Sequence, residues 1–326
     1  MALLPVAGVL ALAALALCSV AVGSRPIAPH TVLDALFHYT GTADQITVRT
    51  LRVPRTLTGI AVGAALGTAG ALAQAVTRNP MADPGLLGVN AGASAAVVAG
   101  MGLLGVAAPG AYVWLALLGA AGATVLVYAI GSRAPGGATP VRLVLAGAAV
   151  SAGLLGFVRA VLTQRPGAFD SFRYWQIGSL AGRGTGVLLA VLPFLLAGAV
   201  IALCLPRALN ALALGDDVAR AQGVSAGRTR LLAALAVTLL CGAATAAAGP
   251  VSFLGLAVPH LVRRLTGPDQ RRVVPYSMLT APSLLLAADI VGRVAAPPGE
   301  LEVGLVTAFC GAPVLMLLAA RGRGSV

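Results

Sequence analysis

The chain has 326 residues, of which 58% are hydrophobic and 10% are charged, whereas roughly 25% of residues are charged in ordinary soluble domains. This composition indicates a protein embedded in lipid. All 22 basic residues are arginine, which excludes the phosphate-binding lysine of a G-x-x-x-x-G-K-[ST] nucleotide loop. The net charge of +12 is dispersed between apolar segments, so we predict that the arginines flank helices and bind no nucleic acid.

Ten apolar segments are predicted to be membrane helices, because about 20 apolar residues suffice to cross the hydrocarbon core. They cover residues 3–22, 53–76, 86–106, 111–130, 141–162, 187–205, 231–248, 251–262, 273–295 and 301–320. The eighth is too short to span upright and contains Pro259, so we expect it to be a broken or partly buried helix. The fold class is therefore an all-α membrane protein, with a single domain over residues 1–326.

The first segment has an alternative reading as a cleaved signal peptide, since Ala21-Val22-Gly23 resembles a small-residue cleavage site. Such a peptide normally begins with positive charge, and the first residues here carry none. We expect a retained first helix.

The second segment carries Gly59, Gly63 and Gly67 on one helical face. This spacing lets another backbone approach closely, so we predict a helix-packing surface and a central position for the segment. Ordinary lipid-embedded packing without any substrate path explains the same glycines.

The connection after the second segment is polar and broken by two prolines. Asp83 followed by Pro84 predicts a helix start, because a carboxylate caps free backbone N–H groups and proline lacks the N–H that would go unpaired. The residues of the motif are Arg78, Asn79, Pro80, Asp83, Pro84 and Gly85. The stretch resembles the signature of the FecCD/BtuC-like permeases, membrane subunits of ATP-binding-cassette importers for ferric siderophores, haem and vitamin B12.

The connection at about 207–229 contains a candidate short helix. Acids stand in its first turn, Arg220 in its last turn and Gly223 just beyond it, as the helix dipole and helix termination favour, and Asp216 is expected to pair with Arg220. On the residues alone, the pattern favours a solvated surface helix. The resemblance implies instead a segment that couples to the ATPase, formed by Gly215, Asp216, Asp217, Arg220 and Gly223.

A second matched stretch carries Gly249, Pro250, Pro259 and His260. His260 resembles a metal ligand or a proton relay, but it has no His or carboxylate nearby at ligand spacing. We therefore expect it to make a structural hydrogen bond near the membrane boundary, and we predict neither a metal nor a cofactor.

Arginines cluster at the predicted outer ends of two segments. Their plain explanation is interfacial snorkelling together with one i,i+4 pair between Asp289 and Arg293. The resemblance implies docking of an extracytoplasmic binding protein, with Arg52, Arg55 and Arg293 as the docking residues.

The charge of the connections between the apolar segments predicts which side of the membrane each connection faces. An even number of spans places both termini on one side, and the arginine-rich connection 263–272 favours the cytoplasm for that side. We thus expect a multi-pass protein of the cytoplasmic membrane.

The resemblance extends from Arg52 to Ala320. It implies a BtuC-like bundle of about ten helices that acts as an importer permease and performs no bond chemistry. Its implied partners are two ATPase subunits, a second permease in a homodimer or heterodimer, an extracytoplasmic binding protein and a ferric siderophore cargo. Haem and vitamin B12 are alternative cargoes. An ion-coupled secondary transporter is a rival of another class, although Asp289 is the only acid well within a predicted span.

Overall fold

The computed structural model describes residues 3–23, 26–106, 109–133, 139–296 and 299–322, and these contain helices and no strand. The helices are α1 (Leu3–Ala21), α2 (Pro29–Phe37), α3 (Ala43–Thr47), α4 (Val53–Thr77), α5 (Val89–Gly102), α6 (Pro109–Ser132), α7 (Pro140–Gln164), α8 (Pro166–Ile177), α9 (Thr185–Cys204), α10 (Pro206–Ala213), α11 (Asp216–Ala221), α12 (Ala226–Ala248), α13 (Leu254–Thr266), α14 (Gln270–Ala295) and α15 (Val303–Gly322). A π-helical turn (Val48–Arg52) joins α3 to α4, and a 3-10 turn (Pro84–Leu87) precedes α5.

Each of the ten predicted membrane segments coincides with a helix. Within the described ranges, seven helices are long and apolar enough to cross a membrane: α1, the continuous α3–α4 helix, α6, α7, α9, α12 and α14. The remaining segments are shorter, namely α5, α13 and the Val303–Pro313 part of α15. The predicted all-α membrane bundle of about ten helices is confirmed. The connections 23–52 and 163–186, which the predicted sidedness places on the outer face, contain the further short helices α2, α3 and α8.

The centre of the bundle is formed by α4 and α12. Within their most apolar windows 83% and 78% of the residues are buried, whereas only 6% are buried in α1, which lies at the periphery. Around this pair, α14 and α13 pack against α4, and α9 and α6 pack against α12. The predicted central position of the second segment agrees with this arrangement.

The glycines of α4 face α14 at short range. A Cβ added at Gly63 would lie 2.6 Å from the Cα of Pro282, and one added at Gly59 would lie 2.8 Å from the Leu286 side chain. At Gly67 an added Cβ would collide with the Cβ of Ala281. Because glycine has no side chain, the backbones of α4 and α14 can come into direct contact at these positions.

The entry to α5 differs from the prediction. Asp83 does cap a helical turn, since its Oδ1 accepts a hydrogen bond from the Gly85 N–H at 2.7 Å. That turn is the 3-10 turn, however, and it ends at Gly88, which has a φ of 78°. The left-handed backbone at Gly88 redirects the chain, so α5 begins only at Val89.

Candidate functional site

The segment between α9 and α12 folds as two short helices. Gly215, with a φ of 113°, separates α10 from α11, and Gly223, with a φ of 75°, follows α11. Both positions require backbone that residues with a Cβ rarely adopt. The two glycines therefore set where α11 begins and ends, and they hold it as a distinct turn of helix.

Asp216 connects α11 to the two central helices. Its Oδ1 accepts a hydrogen bond of 2.6 Å from Arg78 Nη2, just beyond α4. Both of its carboxylate oxygens accept bonds of 2.8 Å from Arg230 Nη2, on α12. Desolvation raises the pKa of Asp216, but the hydrogen bonds from Arg230 and Arg78 outweigh it and leave the pKa below its usual value. Asp216 is thus an internal link between α11 and the centre of the bundle.

The backbone at the end of α4 helps to form this link. Arg78 has a φ of 51°, and its backbone N–H bonds to the carbonyl of Ala75 while that of Asn79 bonds to Gln74. A left-handed conformation costs a residue other than glycine about 1–2 kcal/mol. In this conformation Arg78 ends α4, and carbonyls of the last turn accept hydrogen bonds. The Arg78 guanidinium then lies against Asp216.

The rest of α11 is solvent-exposed. Asp217 and Arg220 form an ion pair of 2.8 Å, and their side chains are 94% and 68% exposed. The predicted pairing of the Asp216 and Arg220 side chains is wrong, because Arg78 and Arg230 occupy the Asp216 carboxylate; Arg220 Nε reaches only the Asp216 carbonyl, at 3.3 Å. Asp217 and Arg220 remain available to a partner chain.

A second anchor, which the sequence reasoning missed, holds α10. Asn210 Nδ2 donates to Asp269 Oδ1 at 2.6 Å, and Asn210 Oδ1 accepts from the Gln270 backbone N–H at 2.9 Å. Asp269 also caps α14 by accepting from the Arg271 N–H at 2.9 Å. This cap could have been predicted from the sequence, because Asp269 directly precedes a long apolar segment and aspartate is a favoured N-cap residue. The segment is therefore attached to α4, α12 and α14.

The two motif stretches lie side by side within the bundle. Gln74 Nε2 donates to the carbonyl of Leu256 at 3.1 Å, and Gly70 touches the Gly255 carbonyl so closely that no Cβ would fit between them. Gly249, with a φ of 76°, packs beneath the carbonyl of Trp175. A Cβ added at Gly255 would lie 3.0 Å from the ring of Pro84, so the turn 83–85 lies against the start of α13.

A cavity of about 490 Å³ opens where these stretches meet α7 and α8. Its polar lining comprises Asp83, Asn90, Ser94, Ser151, Gln176 and Ser252. Asn90 is held in place because its Oδ1 accepts a bond of 2.8 Å from the Thr245 hydroxyl of α12. The cavity offers fixed hydrogen-bonding groups and holds no group of three or more metal-ligating side chains among the described residues.

Comparison with known proteins decides the family. The model of the FecCD transport family matches residues 11–321. The chain belongs to the FecCD transport family. It is 48% identical over 304 residues to the ferric enterobactin transport system permease protein FepD of Escherichia coli K12, covering 93% of this chain and 90% of that protein. It is 40% identical over 291 residues to the probable siderophore transport system permease YfiZ of Bacillus subtilis, covering 89% and 87%.

Among solved structures, the FecCD chain shares its fold with a metal-chelate type ABC transporter in an inward-facing conformation. The TM-score is 0.87 at 24% identity, with 98% of this chain and 100% of the other covered. The family predicted from the sequence is confirmed, as is its role in transport across a membrane. The role of each candidate residue stays a prediction.

His260 of the FecCD chain lacks the hydrogen bond predicted for it. Its Nε2 is buried and has no partner in the part of the chain that the structure describes. The carboxylates of Asp289 and Asp216 lie elsewhere and are engaged by arginines. Arg263 and Arg264 follow His260 on the same helix, so the residue stands in a basic environment without an acceptor.

The three arginines predicted to dock a binding protein form one network in the FecCD chain. Arg55 bonds to Asp289 and to Glu300, both at 2.7 Å. Arg293 pairs with Asp289, as predicted for residues one turn apart, and donates to the carbonyl of Ser19 at 2.6 Å. Arg52 donates to the carbonyl of Val20 at 3.1 Å. The network fixes the end of α1 against α4 and α14.

The three arginines differ in how far they are exposed to solvent. Arg52 is 6% exposed and Arg293 is 2% exposed, whereas the Arg55 side chain is 13% exposed and its partner Glu300 is 25% exposed. Arg55 and Glu300 are thus the members of the network nearest to solvent. Arg52 and Arg293 can therefore affect docking only by holding Arg55 and Glu300 in position.

Proposed function

We propose that the chain is the permease subunit of an ATP-binding-cassette importer for a ferric siderophore. The observation that carries the proposal is the 48% identity to a ferric enterobactin permease over 93% of this chain. Relatives for Fe(3+)-citrate at 41% identity and for cobalamin at 39% identity support the importer class while leaving other chelates as rivals.

The proposed assembly contains two permease subunits, two ATPase subunits and an extracytoplasmic binding protein. The absence of lysine from the sequence supports a separate ATPase, because a nucleotide loop of the Walker type needs one. The permease itself performs no bond chemistry. It forms one domain over residues 1–326 in the cytoplasmic membrane, with both termini on the cytoplasmic side.

We assign coupling to the segment 207–229. Asp217 and Arg220 provide the charged surface against which the ATPase closes. Asp216 carries the displacement to α4 and α12 through Arg78 and Arg230, while Asn210 carries it to α14. Because buried packing is bistable rather than continuously deformable, a small shift at α11 can change the arrangement of the bundle.

The cargo path is assigned to the face that bears the polar cavity. Only 22% of the most apolar window of α7 is buried, and this helix contributes Gly147, Ala148 and Ser151 to the lining. A second permease placed on this face would enclose the path. Hydroxyl and amide groups suit a polar chelate, and their small number favours its release.

Docking of the binding protein is assigned to the outer arginine network. Arg55 is the guanidinium closest to solvent, and Arg52 and Arg293 hold its surroundings in place. Acidic groups of the partner would compete with Glu300 for Arg55. Such charge complementarity steers association and fixes orientation.

A cargo panel tests the proposal. Liposomes containing the permease, its ATPase and its binding protein are supplied with a ferric siderophore, haem or cobalamin, and ATP inside. We expect rapid uptake of the ferric siderophore and at most slow uptake of the others. Uptake of cobalamin or haem in preference to every ferric siderophore tested would overturn the cargo assignment.

A further inference from the structure

A second cavity, separate from the proposed path and the coupling segment, opens between α13, α14 and α15. It has a volume of about 340 Å³. Its walls are apolar and include Ala257 and Leu261 from α13, Leu284 from α14 and Cys310 from α15. Leu261 and Leu284 are 49% and 44% exposed, so the cavity is a lateral crevice that opens at the surface of the bundle.

One end of the crevice is closed and apolar. Phe253 lies there with a φ of 69°, immediately before α13. Its ring packs against Gly311 of α15, where an added Cβ would lie 2.5 Å from the Phe253 Cβ. This contact seals the crevice at the beginning of α13.

The opposite end is cationic and lacks acceptors. Arg264 lines it and is exposed; within the described residues it has neither a hydrogen bond nor an ion pair. His260 also lines it, with a buried Nε2 that has no partner. Arg263, the residue before Arg264, does not line the crevice, but its buried Nη2 likewise has no partner in that part of the chain. Buried polar atoms without a hydrogen-bond partner are rare in native proteins, and the His260 atom lies at the cationic end of the crevice.

The length of the crevice fits one lipid leaflet. The run along α13 from Phe253 to Arg264 covers about 16 Å at 1.5 Å per helical residue. Half of a hydrocarbon core of roughly 30 Å is about 15 Å. An acyl chain lying along α13 would therefore extend from Arg264 to Phe253 within a single leaflet.

We propose that this crevice binds an anionic glycerophospholipid. The phosphate accepts hydrogen bonds from Arg264 and from His260, in the tautomer that carries its proton on Nε2. One acyl chain covers Ala257, Leu261 and Leu284. A lipid is favoured over a protein helix because it supplies an anionic group at one end and a flexible apolar chain beside it, which match the two ends of the crevice. Basic pockets between membrane helices on the cytoplasmic side attract such headgroups.

The proposal depends on the sidedness proposed above only for the choice of leaflet, and it does not depend on transport. Lipid retention therefore tests it independently of the importer assignment. The full chain is placed in nanodiscs of phosphatidylcholine alone or with phosphatidylglycerol, extracted into mild detergent, and its bound lipids are counted by native mass spectrometry.

We expect the wild-type chain to retain one phosphatidylglycerol in preference to phosphatidylcholine. Arg264→Gln should lower that preference about fivefold, the effect of one basic residue near a membrane surface. Ala257→Phe should reduce retention of both lipids, because the ring fills the crevice. Arg133→Gln removes an exposed arginine at the end of α6, away from the crevice, and should retain lipid like the wild type.

Equal phosphatidylglycerol retention by the wild type, Arg264→Gln and Arg133→Gln would overturn the proposal. Loss of permease dimers in Ala257→Phe without any change in lipid would overturn it as well, by showing that a second subunit covers the crevice. Because Arg264 is exposed, its variant is expected to fold, and unchanged elution and circular dichroism would verify this.

Discussion

Arg230 holds Asp216 through hydrogen bonds of 2.8 Å to both carboxylate oxygens, which fixes the short helix α11 to the central helix α12. The Arg230 side chain is 9% exposed and that of Asp216 is 35% exposed. The pair therefore lies at the boundary between the solvent-exposed segment and the buried bundle. Under the proposed coupling role, a movement of the ATPase would be converted at this pair into a movement of the membrane helices.

Asp216→Asn is expected to uncouple ATP hydrolysis from transport. The amide keeps the shape but removes the charge that engages Arg78 and Arg230. Coupling energies carried by such contacts are about 0.5–2 kcal/mol, so the number of molecules transported per ATP should fall about 2- to 30-fold. Uptake and phosphate release measured on the same liposomes give this ratio.

Asp170→Asn is the matched control, since it makes the same substitution at an exposed residue of α8, outside the coupling segment. If both variants alter the transported-to-hydrolysed ratio equally, the bridging role of Asp216 is wrong. A double variant with Arg230→Gln should add little to Asp216→Asn, because both changes remove one interaction.

Wild-type coupling should be insensitive to pH between about 5 and 8. The folded pKa of Asp216 lies below its usual 3.8, so the network is present above that value and is lost only as the pH falls through the lower folded pKa. A fall in the wild-type ratio of transported molecules to hydrolysed ATP between pH 8 and pH 5 would contradict the assignment.

Replacing Asp217 and Arg220 together by alanine should weaken association with the ATPase. The two side chains are 94% and 68% exposed, so the stability of the permease alone should not change measurably. Binding of the ATPase to permease nanodiscs, measured at low and high salt, tests this. Wild-type affinity together with normal transport would show that the partner docks elsewhere.

Gly63→Ala is expected to destabilise the bundle by about 1–3 kcal/mol, the usual cost of overpacking. The added methyl would lie 2.6 Å from the Cα of Pro282, and backbone atoms yield less readily than a flexible side chain. Thermal unfolding in detergent measures the effect. Gly153→Ala on α7, where an added Cβ meets nothing within 4 Å, should be at least as stable as the wild type, because alanine favours a helix more than glycine does. Equal destabilisation by both variants would rule out the tight α4–α14 contact as the cause.

The outer arginine network is tested by two variants with opposite expected signs. Arg55→Gln should weaken capture of the binding protein, whereas Glu300→Gln should leave it unchanged or tighten it, because an internal competitor for Arg55 has been removed. Binding to nanodiscs at low salt provides the measurement. If both variants weaken capture alike, the network has a purely structural role.

Local signals predicted the membrane helices, because hydrophobic length alone determines them. They also identified Gly223 as the residue that ends α11, since glycine readily adopts the left-handed backbone found there, whereas Gly215 was indicated only by the family resemblance. The same signals misplaced the start of α5. Asp83 and Pro84 begin a helical turn, but Gly88 then interrupts it, and sequence gives no means of deciding which of the two signals prevails.

Contacts between distant residues could not be predicted. Arg78 and Asp216 are 138 positions apart, and Arg55 and Asp289 are 234 positions apart. Each charged residue has several partners of opposite sign in the sequence, and only the packing of α4 against α12 and α14 selects among them. Local spacing instead suggested the Asp216–Arg220 side-chain pair, which the arginines from α4 and α12 replace.

The central claim is that the chain works as the permease of an ATP-driven importer. Changing the energy source supplied to the complex tests this claim most directly. Ferric siderophore uptake is followed in liposomes that contain the permease, its ATPase and its binding protein, with either ATP inside or an imposed ion gradient without ATP. We predict uptake only with ATP and only with all three components present. Uptake driven by the gradient, or by the permease without its ATPase, would contradict the account.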